Sequence, residues 1–282
     1  MFKKFSFASS ICSLFFLFCS FSTPKGIEYH HFTNDVPQSI HVLEVDPTLF
    51  PIVPARALDQ CVGRENVLSI STRKGAIAGF NGGFFAIGKY EGAPAGILKI
   101  HNTWYGLPSK PRGAIGWKHH GQSTLCDRVL THLDGLDFYV DSQTGDTTTA
   151  EWEEMDHIVG GTPLLINNGK RIRDYSPEQT IESFLILRHA RTAVGILPNG
   201  NWVFVIVDGK QPKLSLGMTM YELADFMENL GCVKALNLDG GGSTTFVYDG
   251  KVVNQPIGDG DDDDHGKRVL RPVSDVILVT EK

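Results

Sequence analysis

Short runs of alternating apolar and polar residues, separated by turn residues, fill most of the chain beyond residue 22. Residues 40–45 alternate in the way a half-buried strand requires, with successive side chains on opposite faces. Three further pairs of runs are each split by a tight-turn dipeptide. Residues 193–197 and 202–207 flank Asn199-Gly200, residues 164–166 and 170–172 flank Asn168-Gly169, and residues 244–248 and 251–253 flank Asp249-Gly250. Asn-Gly and Asp-Gly mark hairpins because both turn residues need positive φ. The pattern predicts antiparallel sheet.

One segment switches to helical spacing. Met220, Leu223, Ala224, Met227 and Leu230 fall on one face, Thr219 and Glu222 form a capping box, and Gly231 stands at the C′ position. A second helix is expected over residues 66–73. An apolar strand follows each helix, at 76–80 and 234–238, and each strand runs into a glycine-rich segment. With no repeat and no Pro/Ser-rich linker, the expectation is a single α+β domain over residues 23–282, built on a mixed, largely antiparallel sheet with flanking helices.

The 22 residues before it read as an export signal. Lys3 and Lys4 precede an apolar stretch at 11–18, and Ser20 and Ser22 occupy the small-residue positions of a cleavage site. The stretch is shorter than the roughly 20 residues of a membrane span. The alternative is an uncleaved anchor, the only route to a membrane; Cys19 is a poor lipoprotein site because Phe18 is bulky. A secreted, periplasmic or cell-envelope location follows. Cys61, Cys126 and Cys232 then remain, which allows one disulfide but does not choose it. The net charge of −6 offers no basic field for nucleic acid.

Chemistry concentrates in a few segments. In Asp239-Gly240-Gly241-Gly242-Ser243-Thr244, three glycines cost chain entropy and leave backbone amides free to cradle an anion, with a carboxylate at the mouth. A tight bend capped by Asp239 is the plainer reading. A nucleophile elbow fails because Thr245 stands where glycine is needed, and no P-loop lysine follows. Asn81-Gly82-Gly83-Phe84-Phe85 offers an amide, open backbone and an aromatic wall. Arg191 enters an apolar strand and needs a partner, either a phosphate or a structural ion pair. His189 beside it is a proton-shuttle candidate or polar filler, and Gly160-Gly161-Thr162-Pro163 reads as a structural turn. The acidic run 259–264 fails the EF-hand pattern at Asp264 and Leu270. Asp259, Asp261 and Asp263 are therefore candidates only for a casual cation.

Taken in order, Asn81 to Phe85, Ala190 to Gly195 and Asn237 to Thr244 resemble three motifs of the phosphodiester glycosidase family, and the tail from Arg271 through Ser274 to Val279 fits as well. The resemblance runs from about residue 40 to the end. It implies hydrolysis of the anomeric C–O bond of a sugar-1-phosphodiester, with an N-acetylhexosamine-like sugar or an envelope glycan as substrate partner. It also implies roles. Asp239 is the expected catalytic carboxylate, with Glu91 a second candidate, and Arg191 with the loop amides is the expected phosphate clamp. Asn81, Gly82, Gly83, Phe84, Thr192, Gly240, Gly241, Gly242, Ser243, Thr244 and Arg271 are the expected substrate-binding residues. No cofactor is required, and a structural calcium is compatible with the acidic run. Two rivals stay open: a metal-dependent phosphodiesterase that cuts P–O, and a glycan-binding envelope protein without catalysis.

Overall fold

The computed structural model describes residues 14–16, 23–34, 36–88, 90–134, 137–259 and 269–282. Every strand pairing among the described residues is antiparallel. The strands form three sheets rather than one. In the eight-stranded sheet the order is Leu14–Phe16, Ile27–Asn34, Gln38–Val45, Trp202–Val207, Arg191–Ile196, Lys234–Asn237, Leu164–Asn167 and Lys170–Arg171. Its first strand belongs to the segment that reads as an export signal. A five-stranded sheet runs Lys251–Val252, Phe246–Tyr248, Ala78–Asn81, Asp275–Val279, Ile52–Arg56. A six-stranded sheet is built around Arg112–Lys118, Ser123–Asp134 and His157–Gly161.

Among the described residues there are four short α-helices: α1 (Val67–Arg73), α2 (Thr149–Glu153), α3 (Glu182–Ile186) and α4 (Met220–Asn229). Helix α4 carries the expected capping box, and Gly231 follows it at φ 84°. It buries Met220, Leu223, Ala224 and Met227 on the outer face of the eight-stranded sheet. The hairpin turns behave as their sequences dictate in two cases, since Asn168-Gly169 and Asp249-Gly250 are both left-handed at both positions. At Asn199-Gly200 only the glycine is, at φ 88°. There the Asn199 carboxamide oxygen accepts from the Asn201 N–H at 3.0 Å, and the loop is longer than a two-residue turn.

The main core lies between sheets. Phe80 stacks on Phe204 with ring centres 4.2 Å apart and on Phe246 at 4.9 Å, and all three are fully buried. Each such ring contributes about 1.5–3 kcal/mol by leaving water. This stack locks the five-stranded sheet onto the eight-stranded one, immediately behind the residues that end their strands. Cys61, Cys126 and Cys232 are free thiols.

Candidate active site

Four strand ends meet at one edge of the packed sheets, and the antiparallel register decides what they deliver. Asn81 pairs with Val276, and Asn237 pairs with Ala193. Past these pairs the ladders continue as single bonds: Gly82 N–H to the Asp275 carbonyl at 2.9 Å, Asp239 N–H to the Gly82 carbonyl at 3.1 Å, and Gly241 N–H to the Ala190 carbonyl at 2.9 Å. Asp239 and Asp275 are thereby held on either side of Gly82. The three motif segments converge as the sequence implied.

Two glycines are obligatory for this approach. A Cβ at Gly82 would sit 2.0 Å from Asp275 Oδ1, and one at Gly242 would sit 2.4 Å from Arg271 Cζ. The Arg271 guanidinium therefore packs directly against the glycine loop. Its Nε donates to Asp259 Oδ1 at 2.6 Å. The turn at 160–163 joins the site as well, because the Asn237 amide donates to the Thr162 carbonyl at 2.6 Å and a Cβ at Gly83 would meet the Gly160 carbonyl at 2.8 Å. Its glycines are close-approach positions, a role the isolated turn did not reveal.

Asp239 is the chemically poised group. Burial pushes its carboxyl up to about 6, and the Asp275 charge adds to the rise. The Gly240 N–H, which donates to Asp239 Oδ1 at 2.8 Å, and the Arg271 charge pull the other way. Ser243 favours the charged form as well. Around the loop, Ser243 Oγ, Thr244 Oγ1, Thr245 Oγ1 and Asn237 Oδ1 are buried without a hydrogen-bond partner among the described residues. Buried polar groups ordinarily have one. All four belong to fully buried residues packed beneath the loop that carries Asp239.

Asp275 is a second buried carboxylate at the site, which the sequence did not single out. It is fully buried, its Oδ1 accepts from the Gly83 N–H at 2.9 Å, its Oδ2 accepts from the Ser274 hydroxyl, and Arg56 Nη1 lies 3.9 Å away. Burial raises its pKa. A charged residue opening the apolar strand Asp275–Val279 was the available signal. Glu91, the second carboxylate named from sequence, is instead partly exposed and ion-paired with Arg64. The second carboxylate whose field reaches Asp239 is Asp275.

Two expected ligand-binding residues turn out to be internal ties. Asn81 is fully buried; its Nδ2 donates to the Asp239 carbonyl at 2.8 Å, and its Oδ1 accepts from Thr192 Oγ1 at 2.7 Å and from the Thr245 N–H at 3.3 Å. It binds the three motifs to one another, and Thr192 serves it. Arg191 is fully buried and donates to the carbonyls of Met218, Phe184 and Leu187 at 2.9, 2.7 and 3.0 Å, with its guanidinium 4.5 Å from the Phe184 ring. Its partner is backbone and ring, with only Nη1 unclaimed. Burial lowers its pKa to about 10. Arg271 is the arginine positioned beside the loop. Phe84 is half-buried and meets Phe184 edge-on at 6.0 Å, and His189 stacks with Phe184 at 6.4 Å. Asp259 is committed to Arg271; Asp261 and Asp263 lie outside the described residues.

A sequence profile described as phosphodiester glycosidase matches residues 74–280. Bovine N-acetylglucosamine-1-phosphodiester alpha-N-acetylglucosaminidase is 35% identical over 137 residues, covering 44% of this chain and 24% of that protein. The SPbeta prophage-derived uncharacterized protein YomE of Bacillus subtilis is 33% identical over 167 residues, covering 52% and 25%. The matched stretch thus spans about a quarter of these curated relatives. Among solved structures, the zebrafish N-acetylglucosamine-1-phosphodiester alpha-N-acetylglucosaminidase catalytic domain, auto-inhibited by its pro-peptide, superposes with a TM-score of 0.65 at 20% identity, covering 96% of this chain and 88% of that one. A hypothetical protein from Synechocystis gives 0.68 at 18% identity, covering 91% and 62%. These structures share the fold.

Proposed function

Because the chain belongs to the phosphodiester glycosidase family, we propose that it is a hydrolase splitting the anomeric C–O bond of a sugar-1-phosphodiester. The carrying observation is Asp239, a carboxylate raised to about 6 at the mouth of a triple-glycine loop and facing an arginine. An ordinary glycosidase needs a protonated acid because an alkoxide leaves poorly. A phosphomonoester is already a good leaving group. One carboxylate for the anomeric carbon, with donors for the phosphate, is then sufficient.

In this reading Asp239 acts on the anomeric side, as base for water or as nucleophile. Water oxygen ends bonded to the anomeric carbon, the C–O bond to phosphate breaks, and the phosphomonoester departs with the bonding pair. Arg271 and the amides of Gly240 to Gly242 receive the phosphate charge, for which the planar guanidinium is suited. Ser243 and Thr244 lie fully buried beneath the loop and support it, and Phe84 with Phe184 forms the apolar wall. Asn81, Thr192 and Asp275 hold Asp239 in place. The names of the curated relatives support an N-acetylhexosamine as the sugar. The cationic, apolar start supports an exported enzyme.

The test is release of reducing sugar from the methyl phosphodiester of α-N-acetylglucosamine-1-phosphate. Wild type is expected to turn it over, and a folded Asp239→Asn variant to lose at least a thousandfold in kcat. Activity within a few-fold of wild type in that variant sinks the assignment.

A further inference from the structure

The glycine loop is held at its exit by a side chain from beyond the next hairpin. Asn254 is buried two residues past the strand Lys251–Val252. Its Oδ1 accepts from the Phe246 N–H at 2.8 Å, and its Nδ2 donates to the Thr244 carbonyl at 3.2 Å. Those two groups lie on either side of Thr245, whose own N–H is taken by Asn81. The carboxamide of Asn254 therefore sets the direction in which the chain leaves the three glycines. That direction matters for the site, because the same loop begins at Asp239 and backs Arg271 at Gly242.

Asn254 is itself fixed by a carboxylate that the chemistry above does not use. Its Nδ2 donates to Asp208 Oδ1 at 3.0 Å, and the Gln255 N–H donates to the same oxygen at 2.9 Å. Asp208 is fully buried just past the strand Trp202–Val207. Its Oδ2 accepts from the Ser39 hydroxyl at 3.0 Å and lies 3.4 Å from His41 Nε2. His41 in turn bonds the Tyr29 hydroxyl through Nδ1 at 2.7 Å and stacks on His31 with ring centres 4.3 Å apart. Burial works to raise the Asp208 carboxyl, but the His41 bond and charge, with the bonds from Asn254 and Gln255, hold it below its ordinary value. A buried charge is a weak source of stability, since apolar packing of similar volume often serves as well. A fully satisfied polar network instead adds rigidity and direction.

We propose that Asn254 and Asp208 are positioning residues for the reaction: Asn254 fixes the exit of the glycine loop, and Asp208 fixes Asn254. The proposal rests on the glycosidase reading above. As the C–O bond breaks, the phosphate passes from one negative charge to two. A misdirected loop therefore weakens the transition state more than it weakens the bound substrate. A displacement of about 1 Å is enough to cost on the order of a hundredfold. Disturbing Asn254 should thus fall on kcat rather than on KM.

The experiment compares wild type, Asn254→Asp and the swapped pair Asp208→Asn/Asn254→Asp. Each is measured for turnover of the methyl diester of α-N-acetylglucosamine-1-phosphate, for melting temperature, and for amide hydrogen exchange over residues 239–246. Asn254→Asp keeps the acceptor for the Phe246 N–H but turns a carboxylate on Asp208 and on the Thr244 carbonyl. It is expected to melt lower, to exchange faster over the loop, and to lose roughly tenfold or more in kcat with KM within about threefold. The swapped pair restores a donor and an acceptor between positions 208 and 254 and leaves the Thr244 carbonyl without its donor. Its melting temperature should recover most of the way, while kcat and loop exchange should not. Recovery of kcat in step with the melting temperature overturns the proposal and makes Asn254 structural. So does a loss confined to KM, or wild-type exchange over the loop in Asn254→Asp. Absence of turnover by folded wild type overturns the glycosidase reading and this proposal with it.

Discussion

Replacing Asp239 by asparagine keeps the side chain's shape, including the oxygen that accepts from the Gly240 N–H, and removes its charge. Burial raises this carboxyl from 3.8 to about 6. The folded protein therefore holds the proton more tightly than the unfolded chain does. A group raised in this way contributes its full stability below its unfolded value of 3.8 and loses it as pH rises through about 6. Two pKa units correspond to roughly 3 kcal/mol, and residual contact with water lowers the working figure to about 2 kcal/mol. Wild type should bear that cost at pH 7.5, and the asparagine variant should not. For a chain of this size about 2 kcal/mol moves the melting temperature by roughly 5 °C. The assay is thermal unfolding of both proteins at pH 4 and pH 7.5. The expected result is an inactive variant that melts about 5 °C higher at pH 7.5 and level with wild type at pH 4. Asp275 is ionisable in both proteins, so its contribution largely cancels. A variant no more stable than wild type at pH 7.5, or a difference independent of pH, would refute a strained, desolvated carboxylate at this position.

Asp275→Asn keeps an acceptor for the Gly83 N–H and removes the negative neighbour, so the acidic limb of the kcat/KM profile should move to lower pH by of order half a unit; an unmoved limb with lowered stability would make Asp275 purely structural. Arg271→Lys loses the planar fork against Gly242 and should cost roughly 1.5–3 kcal/mol, or more than tenfold in kcat/KM, measured by steady-state kinetics on the methyl diester. Arg191→Lys loses bonds to the Met218, Phe184 and Leu187 carbonyls, so it should lower the melting temperature by several degrees while methyl turnover falls less than in the Arg271 variant. A loss of methyl turnover matching that of the Arg271 variant, at unchanged stability, would return Arg191 to the phosphate.

Much of the sheet was legible because its hairpins carry their own instructions. Asn168-Gly169 and Asp249-Gly250 specify the turn and hence the pairing, and Thr219 with Glu222 specifies the start of α4. The strands Arg112–Lys118 and Ser123–Asp134 carry no such dipeptide; their connection runs through left-handed His119 and His120, and the six-stranded sheet went unpredicted. The site was legible where glycine had to be glycine. What stayed hidden were long-range partnerships. Asp275 acquires its role only when its strand pairs with Ala78–Asn81, and Arg191 finds its carbonyls on a helix too short to show a period. From the chain alone, both a phosphate and an interior partner satisfied an arginine in an apolar strand.

Hydrolysis of the methyl diester of α-N-acetylglucosamine-1-phosphate in oxygen-18 water tests the central claim most directly. Attack at the anomeric carbon puts the label in the released N-acetylglucosamine and leaves methyl phosphate unlabelled, as mass spectrometry of both products would show. That distribution is the expected one. Label in the phosphate, with unlabelled sugar, would mean P–O cleavage and would contradict Asp239 acting at the anomeric carbon.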